Sequence, residues 1–127
     1  MNLIKVHVLQ VNLQPENIKD LTAAVDAGHT DDDGWQMPKG ARTGDLAIWY
    51  MAGRQEFVAR GWVEGIPWKV EHGHGPYRGS VAGVQWIDPV DRTEVIDRCG
   101  FDGGRQSYQT VSNGIAANFL RSLGLLA

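Results

Sequence analysis

The segment from Thr43 to Trp68, TGDLAIWYMAGRQEFVARGWVEGIPW, limits what this chain can fold into more than any other part of it. Leu46 to Met51 is a near-continuous apolar run, and a turn-forming stretch around Ala52 to Gln55 follows. Beyond the turn, Phe57, Ala59, Gly61 and Val63 alternate with Val58, Arg60, Trp62 and Glu64. A buried strand, a loop of moderate length and an alternating strand together predict a β-hairpin. Gly61 inside the second strand predicts a bulge or a sharp bend of the kind barrels need at corners. Four residues able to stack on a flat ligand, Trp49, Tyr50, Trp62 and Trp68, lie on or just beyond these strands.

The flanking sequence supplies the rest of a small sheet. Residues 3 to 12 alternate with β-branched residues in the middle, which predicts a mostly buried strand. Pro15 opens a helix to about Ala27, with Ile18, Leu21, Thr22 and Val25 at helical spacing and Gly28 as its stop. His29 to Thr43, with three consecutive aspartates, two glycines and Pro38, predicts a loop without a regular element. Trp35 stands in that loop and must either plug the core or line a cleft. Gly73, Gly75 and Pro76 mark another loop before a strand from Gly79 to Ile87, which Pro89 is expected to end. Asp91 to Cys99 reads as a short helix, Asp91 and Glu94 having the spacing of a capping box. Arg105 to Val111 reads as a last strand. Ser112 then caps a terminal helix striped by Ile115, Phe119, Leu120 and Leu123 and stopped by Gly124. The expected class is α+β: one domain over residues 1–127, a small curved mixed sheet or barrel of about five strands, flanked by two or three helices.

Bulk properties narrow the function. A chain of 127 residues suits one core, and no apolar run approaches the roughly 20 residues that span a bilayer. The first residues, MNLIKVHVLQV, alternate like a strand and not like a signal peptide, so a cytoplasmic protein is expected. Cys99 is the one cysteine, which excludes an internal disulfide and a Cys-rich zinc site. The net charge of −3 argues against a protein that grips a long duplex chiefly by neutralising phosphates. The charge is uneven. Residues 1–38 carry two basic against six acidic side chains, whereas residues 39–78 carry six basic against four acidic.

Catalytic and metal chemistry find little support. Glu71, His72 and His74 lie together as EHGHG, without the further ligands a zinc site requires. Asp31 to Asp33 lack the alternating oxygen ligands of a calcium loop and read as a solvated loop or an electrostatic screen beside a cleft. Ser80 and Ser107 have no nucleophile-elbow context, and GFDGG at Gly100 to Gly104 lacks the Gly-Lys-Ser/Thr ending of a phosphate loop. No catalytic residue, metal or cofactor is expected, although residues distant in sequence can still meet in space. The aromatics differ. Five tryptophans exceed what one small core usually uses. Trp62 and Trp86, on alternating strands, are expected in the core; Trp35 on a loop and Trp49 near a strand end are the candidates to face a ligand.

Three of these features, in this order and spacing, resemble the EVE branch of the PUA-like superfamily, relatives of the YTH domains that read methylated adenine. They are a loop Trp before a short basic segment, Trp35 then Lys39, Ala41 and Arg42; the Gly-Asp-apolar strand GDLAIWY with VARGWVE after it; and Arg105, Gln106 and Ser107 leading into TVSNGIAANFL. The chain departs from that pattern at Met51 and Ala52, where the family carries a polar pair, and in lacking an early Trp. The resemblance implies a PUA-like fold and a pocket that accepts a flipped, modified base. Trp35 and Trp49 would stack, Tyr50 would support the wall, Gln106 and Ser107 would read the base edge, and Lys39, Arg42 and Arg105 would hold phosphates. The implied partner is DNA or RNA carrying a modified base, with any chemistry left to a restriction or RNA-modification partner protein. The alternative is a PUA-like enzyme or sensor for a free nucleobase, nucleoside or similar planar metabolite. On this reading Trp35→Ala weakens binding with little effect on the melting temperature.

Overall fold

The computed structural model describes residues 5–71, 77–94 and 108–111, together with Arg121 and Gly124. Its elements in chain order are β1 (Val6–Val11), α1 (Pro15–Ala27), β2 (Trp35–Gln36), β3 (Leu46–Met51), β4 (Glu56–Lys69), β5 (Tyr77–Asp91) and β6 (Tyr108–Val111). The strands form one mixed sheet in the order β2-β5-β4-β3-β1-β6. β1 and β3 run parallel and every other pair is antiparallel. A parallel pair needs a crossover of a dozen or more residues, and the segment carrying α1 and β2 provides it.

Local chemistry explains α1. Pro15 stands in its first turn, where a missing N–H costs nothing, and Gly28 ends it in the left-handed region with φ 82°. The Gly28 N–H donates to the carbonyls of Ala24 and Val25, while its own carbonyl accepts from Val84 N at 3.0 Å, tying the helix end to β5. Leu21 and Ala24 are buried, with Ile18 and Val25 packed beside them. Alternation and register divide the sheet into two faces. His7, Leu9 and Val11 of β1 stand opposite Ala47, Trp49 and Met51 of β3 on the face that α1 covers. Val6, Val8, Leu46, Ile48, Tyr50 and Phe57, also buried, belong to the other face.

The predicted hairpin is β3–β4, and its ladder shifts register between Arg60 and Trp62 on the β5 side, around Gly61. A Cβ on Gly61 would stand 2.5 Å from Val81 Cγ1 and 2.9 Å from the Ala82 carbonyl, so the bulge brings β5 too close for a side chain.

Four expectations need correction. The sheet is open and not a barrel: among the described residues its edges, β2 with two residues and β6 with four, do not pair, and strands this short offer too little ladder to close it. The 29–43 segment does hold a regular element, because Trp35 and Gln36 pair with Gly79 and Arg78. β5 does not stop at Pro89 but runs to Asp91: the ladder shifts between Phe57↔Val90 and Ala59↔Trp86, so proline sits where the regular bonding is already interrupted. Finally, Trp62 and Trp86 are 40% and 46% exposed instead of packed in the core.

The predicted Asp91–Cys99 helix starts at residue 92, with Asp91 Oδ1 accepting from Thr93 N at 2.8 Å; from residue 95 it lies outside the described residues, as does Cys99. Of the terminal helix, Arg121 is helical and Gly124 has φ 71°; the apolar stripe lies outside the described residues. No helix among the described residues is long and apolar enough to cross a membrane.

A buried tryptophan corner as candidate binding site

Trp49 occupies the middle of β3, opposite Leu9 of β1, and is fully buried. β2 delivers the second indole: pairing of Trp35 with Gly79 sets that ring over the helix-side face, where it is 7% exposed. The two rings meet edge to face, with centroids 5.6 Å apart and planes at 87°. This geometry sets a positive ring edge against a negative ring face and contributes about 0.5–1.5 kcal/mol beyond area burial.

The N–H groups of the two rings fare differently. Trp35 Nε1 donates to the Gln10 carbonyl at a long 3.4 Å. Trp49 Nε1 is buried with no acceptor, the one such side-chain atom among the described residues. A buried donor left unpaired costs about 1–3 kcal/mol, so most native structures avoid it.

Beside this pair stands a buried ionisable group. His7, 1% exposed, faces the same side two residue pairs before Leu9 and Trp49, and its Nε2 lies 2.8 Å from Asp45 Oδ2. The same oxygen accepts from Arg42 N at 2.9 Å. Arg42 Nη1 in turn donates to the carbonyls of Lys39 and Ala41 at 2.9 and 2.7 Å, and Lys39 Nζ lies 5.8 Å from the Tyr77 ring centroid. The loop before β3 is thus held to β1 through one carboxylate.

Burial holds the His7 pKa below its usual 6.5, and the hydrogen bond and charge of Asp45 offset this only in part. Neutral His7 therefore donates from Nε2 to Asp45. A histidine depressed on folding contributes stability that is complete above the ordinary range near 6.5 and is lost as pH falls from there through the folded value. Melting temperatures of wild type and His7→Asn between about pH 8 and pH 5 are expected to show this: the wild-type advantage shrinks on acidification. An advantage that grows as pH falls would mean that the histidine is buried charged.

The structure brings Trp35 and Trp49 together inside the core and not on the open wall expected of ligand-facing rings. Tyr50 is not with them. As the next residue of β3 it faces the other side, where its ring packs on Phe57 at 5.2 Å. Lys39 and Arg42 lie exposed on the loop beside Asp45. Arg105, Gln106 and Ser107 lie outside the described residues. The expectation that Trp35→Ala leaves the melting temperature nearly unchanged does not suit a ring so deeply buried. Sequence reading missed His7 and Asp45. The available signal was a histidine among Val6, Val8 and Leu9, since a polar group in a buried strand requires a partner.

A cavity of about 100 Å³ opens at Trp35, lined also by Asp20, Asp31, Asp33, Thr30 and Arg78. Arg78 does not neutralise it through ion pairs but bonds the carbonyls of Asp33 and Gly34 at 2.6 and 2.9 Å. The aspartate run therefore borders a cleft beside the tryptophan. Among the described residues no group of three or more His, Cys, Asp or Glu side chains is placed to hold a metal ion; His72 and His74 lie outside them.

No family model matches this chain, and no curated relative matches it in sequence. Its structure is similar to the crystal structure of protein Atu2648 from Agrobacterium tumefaciens, with a TM-score of 0.66 over 95% of this chain and 94% of that one, at 14% identity. Similarity at that identity establishes a shared fold.

Proposed function

We propose that this chain is a non-catalytic, PUA-like module of EVE type that receives a modified, methylated base of DNA or RNA at the Trp35–Trp49 corner. The unpartnered N–H of Trp49 carries the reading: a base offers ring and carbonyl acceptors of the kind this buried donor lacks. Both rings are buried, so the corner opens to admit the base; against the few kcal/mol that extruding a base costs, each ring it then stacks on returns about 1–3. The added methyl group favours such a site because apolar walls remove it from water. Tyr50 has no part in this version of the site, and Lys39 and Arg42 are its candidates for phosphate contact.

The acid-lined opening beside Trp35 and the use of Arg42 Nη1 within its own loop favour a second reading, a free nucleobase or nucleoside as ligand. Salt separates the two. A polynucleotide binder loses affinity steeply as salt rises, and a neutral metabolite binder barely responds.

The test is a binding screen across methylated, hydroxymethylated and plain DNA and RNA oligonucleotides and free bases at two salt concentrations. It is repeated with the sulfur isostere benzothienylalanine at position 49, which keeps the ring shape and removes the N–H. The isostere is expected to melt no lower than wild type, because an unsatisfied donor has gone, and to bind the preferred ligand about 5–30-fold more weakly. Equal binding by both proteins, or no preference of wild type for any modified base, would overturn the assignment.

A further inference from the structure

The face that α1 covers is not covered to its end. Between the start of α1, the β3–β4 turn and the far end of β5 lies a groove of about 580 Å³, walled by Leu13, Ile18, Met51, Trp86 and Pro89 among others. Its origin is the irregularity in the β4–β5 ladder. Phe57 pairs with Val90 and Ala59 with Trp86, so three residues of β5, Ile87 to Pro89, stand opposite Val58 alone. An excess on one strand bends it and increases its twist, and here the excess lies beside the first turns of the helix. Leu13 is left 50% exposed and Trp86 46% exposed.

One charged residue lines this groove, Arg54, on the exposed turn between β3 and β4. Among the described residues its guanidinium has no hydrogen-bond or ion-pair partner, in contrast to those of Arg42, Arg60 and Arg78. The groove shares no residue with the Trp35–Trp49 corner or with the His7–Asp45 pair. It matches the usual composition of a small-molecule site: a volume of about 300–1,000 Å³, mostly apolar walls and few polar groups, here Arg54 as the one charge to orient the ligand and Thr22, whose hydroxyl donates to the Ile18 carbonyl.

We infer that this groove is a second binding site, for a small amphipathic carboxylate whose apolar body lies against Trp86 and Leu13 and whose anionic end meets Arg54. A planar guanidinium fork matches a carboxylate through two parallel hydrogen bonds, which distinguishes this anion from a point charge of the same sign. The helix, the turn and the β5 irregularity wall the groove on separate sides, which suits a compact ligand better than a segment of another protein.

The test compares dodecanoate with dodecanol, both below their micellar concentrations, by titration calorimetry on the whole chain. Wild type is expected to bind dodecanoate about tenfold more tightly than dodecanol. Arg54→Gln removes that difference while leaving dodecanol binding unchanged. Trp86→Ala weakens both at least tenfold. Both side chains are exposed, so both variants are expected to keep the wild-type circular dichroism spectrum, which is recorded alongside. Equal wild-type affinity for acid and alcohol, an unchanged acid preference in Arg54→Gln, or no binding of either compound would overturn the proposal.

Discussion

Gly34→Ala is expected to destabilise the folded chain by about 2–5 kcal/mol, a fall in melting temperature on the order of 10–20 °C. Gly34 has φ 65°, and a Cβ built on it would stand 2.4 Å from the Gly79 carbonyl oxygen and 2.8 Å from Trp68 Cη2. The oxygen belongs to the backbone of β5 at the pairing partner of Trp35, so relief requires β2 to separate from β5. The comparison that isolates this crowding is Gly28→Ala. That glycine has φ 82° with nothing within 4 Å of the would-be Cβ, so its replacement carries the backbone strain alone, about 1–2 kcal/mol. Thermal melts of the two variants should differ clearly. Equal losses would show that the β2–β5 contact gives way freely.

Trp35→Ala is expected to cost about 3–5 kcal/mol, because it removes a buried indole and leaves a void against Trp49. Loss of ligand binding in this variant would therefore report loss of structure as much as loss of contact. Trp35→Phe retains an aromatic ring beside Trp49 and is expected to be clearly less destabilised, so it is the variant suited to binding measurements. Denaturant titration of both checks the ordering. A Trp35→Ala protein as stable as wild type would place the ring on the surface and restore the open-wall arrangement expected from sequence.

Legibility in the sequence followed the range of the interactions involved. The bounds of α1 were readable because a proline at its start, an apolar stripe and Gly28 at its stop all act within a few residues. β3 was readable as an unbroken apolar run, and Gly61 as the site of a bulge. β2 was not readable: two residues carry no periodicity, and only the facing Gly79 and Arg78 make them a strand. The continuation of β5 through Pro89 was hidden for a related reason. A proline ends a strand where its N–H is needed, and whether it is needed depends on the register of β4.

The same division applies to the candidate site. Trp35 and Trp49 were singled out as rings to face a ligand and instead meet inside the core, while the His7–Asp45 contact, 38 residues apart in sequence, required the parallel register of β1 and β3. The aromatic platform read along Thr43 to Trp68 separates in space. Trp49 and Tyr50 are buried on opposite faces, and Trp62 and Trp68 reach solvent.

By itself the sequence determined α1, the strands β1, β3 and β4 and which of their residues alternate, because turn chemistry and apolar periodicity are properties of neighbours. Only the tertiary structure decided which side of each strand is covered. Alternation distinguishes two faces without saying what lies on either, and here α1 reaches Leu9, Trp35 and Trp49 but leaves Trp86 half open. That one packing choice separates the rings of the core from the rings left available at the surface.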